Sequence, residues 1–188
     1  KGRLGMGTKD EDFVEQLFVA STHDYLLFFT NKGQVFRKKV FELPQAGPTG
    51  RGKAAINLLP LREGETICSC LNVPKEAENK YIFLCTERGV AKKTPMLDCA
   101  KIRVTGLRVI TLDEGDSVIS VQLTDGEQQL FFATRDGMGL RVNESTLRAM
   151  GRQARGVRGV RLREGDRVVS ALALTGTGEV LTVTEGGF

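Results

Sequence analysis

The sequence predicts an all-β fold: a propeller-like repeat of four-stranded blades forming an incomplete ring of about three and a half units. Three observations carry this. A turn cassette recurs as Thr30-Asn31-Lys32-Gly33, Thr86-Glu87-Arg88-Gly89, Thr134-Arg135-Asp136-Gly137 and Thr184-Glu185-Gly186-Gly187, roughly every fifty residues. A second anchor keeps the same beat at Arg62-Glu63-Gly64-Glu65, Asp113-Glu114-Gly115-Asp116 and Arg163-Glu164-Gly165-Asp166, and Ser69, Ser120 and Ser170 each sit five residues past its glycine. Between the anchors run short apolar, β-branched segments, many alternating with period 2, the pattern of strands rather than helices.

The anchors divide the chain into units at about 12–64, 65–115 and 116–165, with a partial unit at 166–188. The first strand of each unit is read at 13–21, 67–73, 118–124 and 168–175, and the second at 25–30, 81–86, 129–134 and 180–184. The Thr-x-x-Gly cassette then supplies a tight turn in which glycine takes positive φ without a steric penalty. A third strand follows at 35–40, 90–94 and 139–142, and a fourth at 54–61, 107–112 and 157–162. One or two helical turns are expected at 144–150, with Asn143 as cap and Gly151 as terminator. The absence of tryptophan and the long period disfavour WD40 blades, and kelch blades lack their aromatic pattern here.

At 188 residues, 40% hydrophobic and 27% charged, the chain can bury a substantial core. No apolar run reaches the roughly 18 residues of a membrane span, and Lys1-Gly2-Arg3-Leu4-Gly5-Met6-Gly7 has no signal-peptide h-region. The chain starts without Met and stops inside a unit, so it reads as a piece of a longer cytoplasmic protein. Cys68, Cys70, Cys85 and Cys99 lack paired Cys-x-x-Cys spacing and are expected as reduced core residues. His23, the only histidine, reads as a partly exposed turn residue beside Asp24. There is no phosphate loop and no nucleophile elbow. No catalytic residue, metal or cofactor is therefore expected within these residues.

The net charge of +4 is modest but patterned. Four residues past the cassette glycine, each complete unit carries a cation, Arg37, Lys93 or Arg141, joined by Lys38 and Lys39 in the first unit and Lys92 in the second. A second basic tract leads into each fourth strand: Arg51 and Lys53, then Lys101, Arg103 and Arg108, then Arg148, Arg152, Arg155, Arg158 and Arg161. Acidic residues gather at the second anchor, so stacked units are expected to segregate positive and negative charge onto different edges. A rim of cations that repeats with the blade matches the regularly spaced phosphates of a duplex. In Arg155-Gly156-Val157-Arg158-Gly159-Val160-Arg161 the glycines are expected to let a polyanion approach the backbone while the arginines grip phosphate. Phe18, Phe28, Phe29, Phe83, Phe131 and Phe132 fall in strand runs and read as core, not as stacking platforms for single strands. Tyr25 and Tyr81, at equivalent places in their units, read as packing residues. The alternative reading is a protein-interaction propeller that docks through its acidic turns or disc face.

Six segments occur in order along the chain: Glu11-Asp12-Phe13, Ala20-Ser21-Thr22-His23-Asp24, Asn57-Leu58-Leu59-Pro60-Leu61, Val90-Ala91-Lys92-Lys93-Thr94, Arg148-Ala149-Met150-Gly151 and Gly156-Val157-Arg158-Gly159-Val160-Arg161-Leu162. On these residues the chain resembles the C-terminal, DNA-wrapping domain of DNA gyrase A over essentially its whole length. The related topoisomerase IV protein shares the blades but usually fewer of these motifs. The resemblance implies a β-pinwheel, a disc of about six blades whose neighbours exchange strands. It also implies that duplex DNA bends around the basic perimeter while the whole enzyme, a type IIA topoisomerase, introduces negative supercoils. ATP and Mg would then be bound by the partner protein and the core, the partners would be the gyrase A cleavage core and gyrase B, and the setting would be the cytoplasmic nucleoid. The family's catalytic tyrosine lies in a domain outside these residues. Its basic box, Gln-Arg-Arg-Gly-Gly-Lys-Gly, is matched only at its tail by Lys1-Gly2. Open strand edges in a ring short of blades are expected to pair with another copy or fray.

Overall fold

The computed structural model describes residues 16–47, 50, 52–74, 77–176 and 179–187. Eleven strands follow in order: β1 Tyr25–Thr30, β2 Gln34–Lys39, β3 Ile67–Val73, β4 Tyr81–Thr86, β5 Val90–Pro95, β6 Leu107–Arg108, β7 Val118–Thr124, β8 Gln129–Thr134, β9 Gly139–Asn143, β10 Val157–Arg158 and β11 Val168–Leu174. The described residues contain short 3-10 turns but no α-helix. The strands form three antiparallel sheets, ordered β3-β1-β2-β6, β10-β5-β4-β7 and β11-β8-β9.

The cassette makes the same turn each time. Gly33, Gly89, Gly137 and Gly187 adopt φ of 72°, 80°, 80° and 79°, and each donates its N–H to the carbonyl of the cassette threonine at 2.9–3.1 Å. The hydroxyls of Thr30, Thr86 and Thr134 accept from the N–H of Gln34, Val90 and Met138 at 3.1–3.2 Å. The second anchor folds onto this turn. Asn31, Glu87 and Arg135 donate their N–H groups to the carbonyls of Thr66, Ser117 and Arg167 at 2.8–3.0 Å. The acid after each anchor glycine completes the joint. Glu65 accepts the Thr30 hydroxyl at 2.6 Å, Asp116 the Arg88 N–H at 3.1 Å, and Asp166 the Asp136 N–H at 3.1 Å. The two anchors are thus bonded to each other, with Glu65 and Asp116 buried.

The strand that opens each predicted unit pairs with the sheet of the preceding unit, as β3 does with β1 and β7 with β4. The fourth strands shrink to two residues and also cross over. β6 pairs with β2 through Gln34↔Arg108, and β10 with β5 through Val90↔Arg158. Segment 54–61 is instead a 3-10 turn at Ala55–Asn57, since no earlier sheet stands beside it among the described residues. Residues 16–21 and 179–184 form no strand, and 13–15 lie outside the described residues. The expected helix at 144–150 is a single 3-10 turn, Glu144–Thr146, without a side-chain cap from Asn143. Leu147 is drawn into the core, and Met150 donates its N–H to the Lys93 carbonyl at 2.8 Å, so the chain leaves the turn extended along β5.

Two cores fill the spaces between sheets. Ile82 and Leu84 of β4 join Leu27, Phe29 and Val121 on one side. Phe83 and Cys85 join Leu130, Phe132 and Ala171 on the other. β4 is therefore apolar on both faces, and Phe83 meets Phe132 edge-on, with centroids 6.0 Å apart. Phe29, Phe83 and Phe132 are buried, whereas Phe18 is exposed. The recurring serines stitch β3, β7 and β11 side by side as the hub: Ser69 Oγ donates to the Val121 carbonyl at 3.0 Å and Ser120 Oγ to that of Ala171 at 2.6 Å. β6 and β10 are consequently the outermost strands of their sheets.

Candidate nucleic-acid interface

Strands β2 and β6 of the first sheet and the loops leading to β6 and β10 enclose an open groove. Its lining holds Arg37, Lys101, Arg103, Arg108 and Arg152, with Asp98 as the single carboxylate. Each wall has a separate origin. Arg37 is exposed on β2, where its guanidinium lies over the Tyr25 ring, 4.8 Å from the centroid, and donates to the Ala100 carbonyl at 2.9 Å. Arg103 and Arg108 are exposed before and on β6, and Arg152 is half-buried in the loop before β10. The groove thus gathers cations that the sequence scatters over more than a hundred residues. Such a wall offers delocalised, permanently charged donors to phosphate.

Other expected contacts lie beyond it. Lys38 and Lys39 are half-buried on β2, with Lys39 Nζ 5.3 Å from the Phe41 ring centroid and 5.7 Å from that of Tyr25. Lys53, Arg141, Arg158 and Arg161 are exposed. Arg158 occupies on β10 the place Arg108 has on β6. Arg155 is exposed but paired with Asp113 at 2.5 Å. Arg51, Lys1 and Gly2 lie outside the described residues.

Two expectations are corrected outright. Lys92 is 0% exposed and Lys93 6% exposed, so neither ammonium faces a polyanion. Lys92 Nζ donates to the carbonyls of Val109 and Arg152 at 2.5 and 2.6 Å, and burial lowers its pKa to about 8. Lys93 Nζ donates to the Glu144 carbonyl at 3.2 Å and sits 5.0 Å from the Tyr81 ring centroid. The signal for Lys92 lies in the repeat: its register partners in the other units are Phe36 and Leu140, both apolar. Lys93 shares the outward register of Arg37 and Arg141 but is covered by segment 147–150, which bridges to it at Ala149.

The glycines of the 155–161 tract serve packing, not access. A Cβ on Gly159 would stand 2.6 Å from Ala91 Cβ, and one on Gly156 (φ 95°) 2.8 Å from the Ala91 carbonyl oxygen. They let β10 lie against β5, leaving the arginines to point outward. Equivalent closeness marks Gly33 against Ile110 and Gly89 against Val160, at 2.6 and 2.8 Å, whereas a Cβ on Gly137 would meet nothing within 4 Å beside the three-stranded third sheet.

Elsewhere the chemistry is sparse. Among the described residues, no cluster of three His, Cys, Asp or Glu side chains is placed to hold a metal ion, and no helix is long and apolar enough to cross a membrane. His23 is exposed in a turn beside Asp24, and the four thiols are free.

The sequence matches the family described as DNA gyrase C-terminal domain, beta-propeller, over residues 24–74, 80–125 and 128–175. It is 41% identical over 188 residues to DNA gyrase A of Escherichia coli K12, covering 100% of this chain and 22% of that protein. This chain therefore spans about a fifth of the length of that relative. Among solved structures it is similar to the C-terminal domain of DNA topoisomerase IV, with a TM-score of 0.82 and 34% identity over 92% of this chain and 54% of that one. It is also similar to a DNA gyrase A C-terminal domain, with a TM-score of 0.66 and 25% identity over 82% of this chain and 49% of that one.

Proposed function

Because this chain belongs to the DNA gyrase C-terminal domain family, we propose that its basic perimeter binds duplex DNA and bends it for the cleavage core of a type IIA topoisomerase. The observation that carries the reading is the groove beside β6, where five cations share the lining with a single carboxylate. Binding is to phosphate and independent of base sequence, since the groove offers guanidinium and ammonium groups to a regular backbone. Smooth bending of a site of roughly 20–30 bp by 40–90° costs on the order of 1–6 kcal/mol, so several charge-assisted contacts are needed to offset it. Arg158 and Arg161 continue the path beyond the groove. In the whole enzyme the cleavage core, gyrase B, ATP and Mg supply strand passage in the cytoplasm, and these residues supply the DNA path.

The similarity to a topoisomerase IV C-terminal domain supports a second reading in which the same perimeter serves that enzyme. Both readings put duplex DNA on the outer strands. A protein-interaction propeller instead predicts salt-tolerant protein binding and no dependence on duplex length.

The test is to incubate the chain with relaxed circular plasmid, add a nicking-closing topoisomerase, strip the protein and count trapped supercoils. A shift of one sign that grows with protein supports bending into a wrap. Salt-sensitive duplex binding without a shift confines the reading to binding, and no binding contradicts it.

A further inference from the structure

Among the described residues, Lys92 is the one cation of the perimeter tracts whose side chain is 0% exposed. It stands where the other two units have Phe36 and Leu140, so the fold does not require a charge at this position. Its ammonium instead makes two short hydrogen bonds to main-chain carbonyls of separate segments. Val109, bonded at 2.5 Å, directly follows Arg108 at the end of β6, in the first sheet. Arg152, bonded at 2.6 Å, lies in the loop before β10, in the second sheet. Arg108 and Arg152 both line the basic groove. A single buried group therefore ties the segment ending β6 to the loop before β10. Charge-assisted donors of this kind hold geometry more tightly than neutral ones, and the low-dielectric surroundings strengthen them further.

We propose that Lys92 is a positioning residue for duplex binding: it touches no phosphate, and it sets the spacing of Arg108 and Arg152 by bridging Val109 and Arg152. This rests on the reading that the groove binds duplex DNA. Burial lowers the Lys92 pKa to about 8, with the carboxylate of Asp98 acting in the opposite direction. The guanidinium of Arg152 is the other charge at this cluster, and Cys99, raised to about 11 by burial, stays a neutral thiol over the same range. Raising pH through 8 therefore converts the ammonium to an amine and slackens the clamp while the groove arginines remain charged.

The experiment compares duplex affinity of the unmodified chain and Lys92→Met between pH 7 and pH 9.5 at fixed salt, with far-UV circular dichroism and melting recorded alongside. Methionine supplies an apolar chain like those at the equivalent positions, so the fold is expected to persist. The expected result is a loss of roughly tenfold in affinity at pH 7, that of one good contact. The unmodified chain weakens as pH rises, whereas the variant shows a flat profile. A folded Lys92→Met that binds as tightly as the unmodified chain overturns the proposal. Should the variant not fold, Lys92→Leu, which matches Leu140 at the equivalent position, takes its place, and an unchanged affinity there overturns the proposal equally. Absence of any duplex binding by the unmodified chain sinks the DNA reading itself, which separates the two failures.

Discussion

Gly159 and Ala91 are in such close contact that a β-carbon on the glycine would lie 2.6 Å from that of the alanine, with the Phe132 ring 3.3 Å away. This contact seats the exchange strand β10 on β5, where Gly159 also donates its N–H to the Gly89 carbonyl at 2.8 Å.

Gly159→Ala is accordingly expected to destabilise the fold by about 1–3 kcal/mol, the usual cost of overpacking a filled site. Gly137→Ala is the comparison: its positive φ carries strain, but the new methyl meets nothing within 4 Å, so the loss stays near ~1 kcal/mol. Urea unfolding of the two variants measures the difference. Equal losses would show that backbone strain, and not strand seating, governs both sites.

Asp116 joins the two anchors of the second unit by accepting the N–H groups of Arg88 and Ser117 at 3.1 and 2.8 Å in a buried turn. Asp116→Ala leaves those donors without an acceptor and is expected to cost about 1–3 kcal/mol. Asp116→Asn keeps an acceptor oxygen and should cost less. Chemical denaturation of both variants gives the ranking, and an unaffected alanine variant would contradict this account of the repeat.

Burial raises the thiol pKa of Cys68 and Cys85 to about 12 and of Cys70 and Cys99 to about 11, from 9.0. Folding therefore favours the neutral thiols. Their contribution to stability is complete below pH 9 and is lost as pH climbs toward 11–12, so unfolding should become easier in that window. Thiolate is the reactive form. At pH 8 a disulfide reagent should label the native protein slowly, then all four cysteines rapidly once urea unfolds it. Rapid stoichiometric labelling of the native protein is the contrary result.

The Arg155–Asp113 pair is open to solvent, with side chains 70% and 56% exposed, so it contributes only about 0–1 kcal/mol. Asp113→Asn should leave the melting temperature almost unchanged while freeing Arg155 for phosphate. Duplex affinity is then expected to rise a few-fold at low salt and to converge with that of the unmodified chain at high salt. A weaker complex would show that Asp113 orients Arg155 productively.

Most strands are legible because both anchors and the apolar runs repeat in phase. The second strands of the complete units, such as Tyr25–Thr30 and Tyr81–Thr86, fall where the pattern puts them. What periodicity does not encode is the partner of a strand. β3 and β6 both belong to the sheet of β1, yet local sequence assigns them to the next unit, because hydrogen bonding across fifty or more residues leaves no local trace. The same limit applies at the groove. Arg37, Arg103, Arg108 and Arg152 are legible as cations but not as neighbours. Lys92 defeats a reading that weighs charge ahead of register, although Phe36, buried at the equivalent place in the first unit, marks the position as inward-facing.

The most direct measurement is the salt dependence of duplex binding for the unmodified chain and for Arg103→Gln/Arg108→Gln, both substituted at exposed positions of the groove. The account predicts a steep negative slope of log affinity on log salt. In the double variant the slope should be shallower by roughly 2, about 0.9 for each phosphate contact removed, with the fold intact. A slope near zero for the unmodified chain, or an unchanged slope in the double variant, would contradict a phosphate-binding groove.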